Sequence, residues 1–392
     1  MVKQRYLHSS IKDDLPKKMV FLAGPRQVGK TTLAKFLGTQ EYHHSQYFNW
    51  DNASDRRNIR ELTFDPRAEL VIFDELHKFR QWKNYIKGVF DTYREKFHIL
   101  LTGSARLDLY RKGGDSLQGR YHSYRLHPFS VAELVGSVNT IEPFKPLDLP
   151  AASAASQRTF AKLLERGGFP EPLFALEQRE IRRWRNERLD RLIKEDIRDI
   201  EIVRDLSALQ VLSDILPSKV GSLLSLNALR NDLQVSHKTV ALWMDILERF
   251  YFHFRIYPYA STKIKSLRKE PKLYLWDWSQ VEKSAARFEN IIASHLLKFI
   301  HYLQDAEGYR AELSFLRDVE GREVDFLVSV DGKPWFAVEV KEADDEISKT
   351  LPYFQERLRI PFVYQVVQSP GVDVLKKNTR LVSADVFLNG LI

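Results

Sequence analysis

A glycine-rich octapeptide, GPRQVGKT at residues 24 to 31, has the spacing of a phosphate-binding loop. It follows a short apolar run, Met19 to Ala23, and precedes a helical pattern that reaches Gly38. Such a turn directs backbone N–H groups and the positive end of the helix dipole at phosphate oxygens. We expect Lys30 to reach the β- and γ-phosphates and the Thr31 hydroxyl to coordinate Mg²⁺, so the predicted cofactors are ATP and Mg²⁺. The residues predicted to bind the nucleotide are Gly24, Pro25, Arg26, Gln27, Val28, Gly29, Lys30, Thr31, Thr32 and Thr102.

Two adjacent carboxylates, Asp74 and Glu75, end a second apolar run, LVIFDE at residues 70 to 75. Asp74 is predicted to hold the shell of the Mg²⁺ ion, and Glu75 to polarise the attacking water. The second acid therefore extends the prediction from ATP binding to ATP hydrolysis. Without the phosphate-binding loop upstream, the same two acids would be interpreted as caps of the next helix.

Two further positions are candidates for sensing the γ-phosphate. The run HILLTGS ends in Thr102 and Ser104, which are polar enough to contact the γ-phosphate or the attacking water, or else form a solvated strand end. Arg120, in SLQGRY, is a candidate arginine finger or sensor, because a guanidinium can neutralise charge that develops in the transition state. The alternative for Arg120 is a surface salt bridge, and the sequence leaves open whether it acts on its own ATP or on a neighbour's.

These residues lie in a segment that alternates short apolar runs with amphipathic helical stretches, a pattern typical of a parallel sheet flanked by helices. A connector rich in Pro and Ala at 141–156 follows this first domain, which is predicted at 1–145. We expect a charged helical subdomain at 157–206, a winged-helix domain at 207–280 and a second α/β unit at 285–392.

Composition favours a soluble globular protein. Of the 392 residues, 44% are hydrophobic and 29% are charged, and no apolar run is long enough to span a membrane. The absence of cysteine excludes disulfides, thiolate zinc sites and cysteine nucleophiles. The N-terminal residues lack the pattern of a secretory signal, so we expect a cytoplasmic protein. The formal net charge of +8 favours an anionic partner such as DNA.

The chain resembles a family of prokaryotic AAA-type ATPases whose C-terminal domain carries nuclease-like signatures. The segments that carry the resemblance are GPRQVGKTTLAK, FDELHKFRQWKNYIKGVFD, LLTGSARL, SLQGRYHSYRLHPFSVAEL, GGFPEP, PKLYLWD, FEN, EVDFLV and VEVK. The resemblance implies an α/β fold in which an AAA-like P-loop NTPase domain with a parallel sheet comes first. A helical and winged-helix middle follows, and the chain ends in an α/β domain with a PD-(D/E)XK nuclease-like fold.

The same resemblance assigns chemistry to the C-terminal domain. In PD-(D/E)XK-like nucleases an aspartate and a glutamate on adjacent strands hold Mg²⁺, and the lysine two places after the glutamate positions or activates water. These roles would belong to Asp325, Glu339 and Lys341, with Glu289 on the preceding helix as a further metal ligand. The triplet EPK at 270–272 also fits the E-x-K pattern but lacks the strand context. The alternative is a salt-bridged sheet in a domain that kept the fold and lost the activity.

The winged-helix segment is predicted to contact DNA through a hairpin loop and the start of a helix. The loop STKIKSLRKEP at 261–271, together with Lys272, holds five bases and one acid at the hairpin tip, where a wing meets the phosphate backbone. Ser236 is the predicted N-cap of the following helix. The predicted DNA contacts are His237, Lys238, Lys263, Lys265, Arg268 and Lys269. The alternative is a packing or oligomerisation module with a solvated basic loop.

Three functions are compatible with these features. The first is a Mg²⁺-dependent ATPase that acts on duplex or branched DNA, with metal-dependent cleavage by the last domain. The second is a nucleotide-controlled switch for signalling or defence, whose C-terminal fold only binds. The third is an ATPase that regulates a protein partner. A membrane is not among the predicted partners, and assembly into a homo-oligomer is left open.

Overall fold

The computed structural model describes residues 3–103, 117, 119–197, 205–260, 269–343 and 346–392. The chain divides into two compact units, Met1–His127 and Pro128–Ile392. Four positions singled out from the sequence, Ser104, Lys263, Lys265 and Arg268, lie outside the described residues.

The N-terminal unit is built on a five-stranded parallel sheet in the order β2-β3-β4-β1-β5. Its strands are β1 (Met19–Ala23), β2 (Ser45–Asn49), β3 (Leu70–Asp74), β4 (His98–Thr102) and β5 (Tyr121–Arg125). Every residue of β1 and β3 is buried, as the unbroken apolar runs predict for parallel strands covered on both faces. The predicted α/β fold of a P-loop NTPase is confirmed for this unit.

The helices of this unit are α1 (His8–Asp14), α2 (Lys30–Gln40), α3 (Ala53–Arg60) and α4 (Trp82–Tyr93), and a short 3₁₀ helix covers Leu76–Lys78. Helix α2 begins at the residue after Gly29 and contacts β2, β3 and β4. Because all five strands run in one direction, the carboxyl ends of β1, β3 and β4 meet at one edge of the sheet. That edge carries the residues expected to bind phosphate and metal.

The C-terminal unit begins with helices and continues into a mixed sheet. Its helices are α5 (Val131–Val135), α6 (Ala154–Arg166), α7 (Pro170–Phe174), α8 (Gln178–Arg191), α9 (Leu206–Ile215), α10 (Leu226–Leu233), α11 (His237–Arg249), α12 (Ser284–Asp305), α13 (Thr350–Leu358) and α14 (Ala384–Asn389). The GGFPEP turn ends α6 and starts α7, with Gly167 at a φ of 81° and a proline at the first position of α7. The N-cap prediction for α11 is confirmed, because Ser236 Oγ accepts the N–H of Thr239 at 3.1 Å.

The sheet of this unit has eight strands in the order β12-β13-β11-β10-β9-β8-β6-β7. These strands are β6 (His253–Pro258), β7 (Lys272–Leu275), β8 (Ala311–Arg317), β9 (Glu323–Val330), β10 (Lys333–Lys341), β11 (Phe362–Val367), β12 (Asp373–Lys376) and β13 (Thr379–Ser383). The hairpin predicted as a wing, β6 and β7, forms one edge of this sheet, because β6 also pairs in parallel with β8. The segments predicted at 207–280 and 285–392 therefore share a single sheet.

Within the part of the chain that the structure describes, no helix is both long enough and apolar enough to cross a membrane.

Candidate ATPase site and C-terminal carboxylate cluster

The phosphate-binding loop joins β1 to α2 and needs glycine at its first position. Gly24 has a φ of 150°, and a Cβ there would lie 2.5 Å from the carbonyl oxygen of Leu126, so any side chain would clash with backbone. Gly29, at a φ of 101°, turns the chain into the first residue of α2. Lys30 is 7% exposed, and its Nζ donates to the carbonyl oxygens of Gly24 at 3.0 Å and Pro25 at 2.8 Å. The loop therefore curls around the ammonium that is expected to contact phosphate.

The remaining predicted loop residues differ in what they can offer a ligand. Val28 is fully buried, so its side chain belongs to the core. Gln27 adopts a left-handed backbone conformation, with a φ of 62°. The side chains of Arg26 and Thr32 are exposed to solvent. Arg5, which the sequence did not single out, donates from Nη1 to the carbonyl oxygen of Val28 at 2.9 Å. No sequence signal could have found this anchor, because Arg5 lies 23 residues before Val28 and no spacing rule links the two.

Asp74, at the end of β3, is held by three hydroxyl groups. Thr31 Oγ1 and Tyr47 Oη each donate to Asp74 Oδ2 at 2.7 Å, and Thr102 Oγ1 donates to Asp74 Oδ1. Burial, reinforced by the hydrogen bond to Asp74, raises the pKa of Tyr47, so this phenol stays a donor. Thr102 thus supports Asp74, and its contact with the nucleotide stays a prediction. Tyr47 was not predicted, although its position near the end of the neighbouring strand β2 is a signal that could have found it.

Glu75 adopts a left-handed backbone conformation, with a φ of 58°, directly after β3. Its N–H donates to the carbonyl oxygen of Thr102 at 3.0 Å, which fixes the backbone at the sheet edge. Its side chain makes no capping hydrogen bond to the 3₁₀ helix Leu76–Lys78, so the capping alternative does not describe it. Burial raises the pKa of Glu75, and the Lys30 ammonium opposes that rise. A carboxylate with a raised pKa beside the loop can accept a proton from water.

The donor set at this edge fits a nucleotide and a hard divalent cation. The Thr31 hydroxyl and the Asp74 carboxylate are oxygen donors 2.7 Å apart, and oxygen ligands are those that Mg²⁺ prefers. The Lys30 ammonium donates to two carbonyl oxygens, which phosphate oxygens can replace with a stronger, charge-assisted bond.

Arg120 lies at the opposite edge of the sheet from the phosphate-binding loop. It immediately precedes β5, and its carbonyl oxygen accepts the N–H of Met19 at the start of β1. At about 3.3 Å per residue, the length of β5 puts roughly 16 Å between Arg120 and the edge that carries the loop. Its Nε donates to Asp91 Oδ1 at 2.8 Å, so the salt-bridge alternative describes Arg120 within its own chain. Action on a neighbour's ATP stays a prediction.

The C-terminal unit brings together the four residues assigned by resemblance to nuclease chemistry. Strands β9 and β10 pair Phe326 with Val338, so Asp325 and Glu339 are cross-strand neighbours. Asp325 Oδ2 accepts the N–H of Val340 at 2.9 Å. Glu339 Oε1 lies 2.7 Å from Lys341 Nζ, as expected for two residues on one face of a strand.

Glu289, on α12, joins the same cluster through β7. Tyr274 Oη donates to Glu289 Oε1 at 2.6 Å. The pKa of both Glu289 and Glu339 is raised to about 7. Burial is the largest cause, and the nearby Asp325 carboxylate is the second. Glu339 is 5% exposed, and its Oε2 has no hydrogen-bond partner among the described residues.

Lys272 occupies the space between the carboxylates, which corrects its predicted position at a hairpin tip. Its Nζ lies 2.6 Å from Glu323 Oε1, 3.2 Å from Asp325 Oδ1 and 3.5 Å from Glu289 Oε1. Burial lowers the pKa of Lys272, but the three carboxylates outweigh burial and raise it, so the amine is an ammonium. The EPK triplet that had seemed to lack context thus supplies the cation of the cluster.

The carboxylate cluster does not fit a Mg²⁺ ion as it stands. Among the described residues, no group of three or more histidine or acidic side chains is arranged to hold a metal ion. In this arrangement the predicted ligands Glu289, Asp325 and Glu339 do not form a metal site, because the Lys272 ammonium pairs with the first two of these carboxylates.

Only part of the predicted DNA-binding surface lies in the described residues. His237 and Lys238 are exposed at the start of α11, and Lys269 is exposed before β7. Helix α10, helix α11 and the hairpin of β6 and β7 follow one another in the order of a winged helix.

Comparison with protein families identifies three parts of the chain. Residues 16–135 match the family described as "AAA domain". Residues 157–285 and 285–386 match two families described as domains of unknown function, DUF8612 and DUF4143. The first match confirms the predicted AAA-type ATPase domain and supports ATPase activity in general. The other two matches assign no activity.

Two uncharacterized proteins resemble the chain over much of its length. MJ1637 of Methanocaldococcus jannaschii is 26% identical over 66% of this chain, and the match spans 60% of that protein's length. Rv2008c of Mycobacterium tuberculosis is 22% identical over 91% of this chain and 81% of its own length.

Solved structures show only a distant likeness. The RuvB Holliday junction branch migration motor of Thermotoga maritima is 17% identical, with a TM-score of 0.32, over 68% of this chain and 96% of that one. A STAND ATPase of Pyrococcus horikoshii is 12% identical, with a TM-score of 0.29, over 79% of this chain and 48% of that one. Scores this low support no statement about function.

Proposed function

We propose that the chain is a Mg²⁺-dependent ATPase that acts on DNA. The hydrolytic part rests on one observation: Asp74 and Glu75 lie side by side at the sheet edge that carries the phosphate-binding loop, with Asp74 hydrogen-bonded to Thr31 and Glu75 half-buried in a left-handed turn. An acid that binds the metal and an adjacent acid with a raised pKa are the two carboxylates that ATP hydrolysis requires.

Each side chain at this edge has a distinct task in the proposed reaction. Thr31 and Asp74 are the residues that would hold Mg²⁺, which when bound neutralises phosphate oxygens. Lys30 exchanges its two carbonyl partners for the β- and γ-phosphates. Tyr47 and Thr102 keep the Asp74 carboxylate oriented. Glu75 accepts a proton from the attacking water as the bond from the water oxygen to the γ-phosphorus forms. The bond between that phosphorus and the β–γ bridging oxygen breaks, and ADP leaves with the bridging oxygen.

The proposed action on DNA is supported by charge and by the winged-helix order of elements. The formal net charge is +8, and His237 and Lys238 are exposed at the first turn of α11. In a winged helix this turn approaches the groove and the phosphate backbone. The DNA in question is duplex or branched.

A second candidate function is a nucleotide-controlled switch whose C-terminal domain binds without cutting. The observation that favours it is the Lys272 ammonium among carboxylates that a nuclease would use for metal. Cleavage that depends on Asp325, Glu339 and Lys341 would argue for the nuclease instead. The two candidates also differ in turnover, which is slow and indifferent to DNA in a switch.

One experiment separates these candidates. ATP hydrolysis and DNA cleavage are measured with no DNA and with single-stranded, duplex and branched DNA, for wild type, Lys30→Ala and Asp325→Ala. Lys17→Ala, which changes an exposed lysine, is the matched control. We expect DNA to increase the ATP turnover of wild type and Lys17→Ala, and Lys30→Ala to be inactive. Turnover that no DNA changes would contradict action on DNA and favour the switch.

A further inference from the structure

We propose that the Lys272 ammonium is the resident cation of the C-terminal carboxylate cluster and takes the place of a divalent metal ion there. The cluster is defined by Glu289, Glu323, Asp325 and Glu339. The inference concerns the C-terminal unit alone and does not depend on ATP hydrolysis.

The contacts of Lys272 are those of a bound cation. Three carboxylates from α12 and β9 lie within 3.5 Å of its Nζ, and the shortest distance, 2.6 Å, is to Glu323. Its side chain is 4% exposed, so the ammonium contacts these carboxylate oxygens in place of water. A lysine is rarely buried to this degree unless its charge is paired.

The backbone around Lys272 holds the side chain in this position. Lys272 opens β7, where it pairs with Ile256 of β6 and forms a bridge with Leu223 on its other side. The N–H of Leu224 also donates to the carbonyl oxygen of Pro271 at 2.8 Å. Because neighbouring chain segments fix the strand on both sides, the backbone places the Lys272 ammonium in the cluster.

The charges leave no place for a divalent ion beside this lysine. Glu323 also pairs with Arg317 at 2.7 Å, and Glu339 pairs with Lys341 at 2.7 Å. Each of the four carboxylates is therefore already paired with a lysine or arginine, and a divalent ion would have to displace one of these cations to reach it. A divalent ion bound to Asp325 or Glu289 would also face the Lys272 ammonium at short range.

The test measures Mn²⁺ binding to the full chain without nucleotide by electron paramagnetic resonance. The variants are wild type, Asp325→Asn, Lys272→Met and Lys272→Met/Asp325→Asn. We expect wild type and Asp325→Asn to bind Mn²⁺ equally, because ions held elsewhere are common to both. Lys272→Met is expected to gain one Mn²⁺ equivalent that the double variant loses.

Two results would overturn the proposal. One is a Mn²⁺ site in wild type that Asp325→Asn removes, and the other is a Lys272→Met protein that binds no more Mn²⁺ than wild type. If Lys272→Met folds only when Mn²⁺ is added, the added ion has replaced the ammonium and the proposal is supported. If it does not fold at all, two other comparisons test the proposal. Wild type and Asp325→Asn should bind Mn²⁺ equally, and Lys272→Arg, which keeps the positive charge, should bind no more Mn²⁺ than wild type. ATP hydrolysis by the same preparations is scored separately, so failure of one proposal does not imply failure of the other.

Discussion

Asp74 and Glu75 are neighbours in sequence, yet their surroundings give them different chemistry. Three hydroxyls fix the carboxylate of Asp74, whereas Glu75 Oε2 lies 3.5 Å from His77 Nε2 and 3.6 Å from Lys78 Nζ. Asp74 is therefore positioned as a ligand, while Glu75 has looser contacts that suit a group which must take up a proton. The sequence predicted this division of roles from the order of the two acids, but the hydroxyl of Tyr47 emerged only from the pairing of β2 with β3.

The ion pair of Arg120 predicts how its substitution affects ATP binding. Because its guanidinium pairs with Asp91 at the far edge of the sheet, Arg120→Ala is expected to leave the Kd for ATP within about twofold of wild type, as for a lost surface ion pair. Nucleotide titration measures this, and Asp91→Ala is the matched control. A loss of ATP affinity as large as that of Lys30→Ala would show that Arg120 reaches the nucleotide of its own chain.

At the scale of elements, three strands of the N-terminal unit, β1, β3 and β4, could be predicted because their apolar runs are nearly unbroken and each leads into residues typical of a phosphate or metal site. The more polar strands β2 and β5 carry no such signal. The C-terminal sheet was harder to predict. The parallel pairing of β6 with β8 joins Tyr257 to Ser314, and no local pattern indicates a contact between residues so far apart in the chain. For the same reason, Lys272 was counted among the bases of the hairpin tip, although it opens a strand that is buried along its whole length.

His253, at the junction of α11 and β6, is expected to make the stability of the fold depend on pH. His253 is fully buried, and its Nε2 lies 3.0 Å from the carbonyl oxygen of Met244. Burial lowers the pKa of His253 to about 4, whereas the ordinary value is 6.5. Below pH 6.5 the His253 imidazole takes up a proton in the unfolded chain but not in the folded chain. The free energy of unfolding therefore decreases as the pH falls from 6.5 towards 4. At about 1.4 kcal/mol per pKa unit, the loss reaches about 3 kcal/mol.

His253→Gln tests this, because glutamine can keep the hydrogen bond to Met244 but cannot take up a proton. We expect the variant to lose less free energy of unfolding than wild type between pH 7 and pH 4.5, measured by urea denaturation at each pH. Parallel losses in the two proteins would show that His253 does not contribute to acid sensitivity.

At the scale of the whole molecule, the chain combines an ATPase unit with a second unit that has a buried charge cluster of its own. The sequence predicted the residues of the first centre from closely spaced motifs, whereas those of the second centre followed from the resemblance to a family. It could not predict that a lysine from a third strand neutralises the second centre, because that contact depends on the order of strands in the sheet.

The assignment of Glu75 as the base that hydrolyses ATP at the loop of residues 24–31 calls for one comparison, of Mg²⁺-dependent ATP turnover and ATP affinity in wild type and Glu75→Gln. Glu61→Gln, which changes an exposed glutamate after α3, is the control. We predict that Glu75→Gln binds ATP as tightly as wild type and turns it over at least about a hundredfold more slowly, the usual effect of losing a general base. Turnover by Glu75→Gln at the rate of wild type and the control would show that Glu75 is not the base.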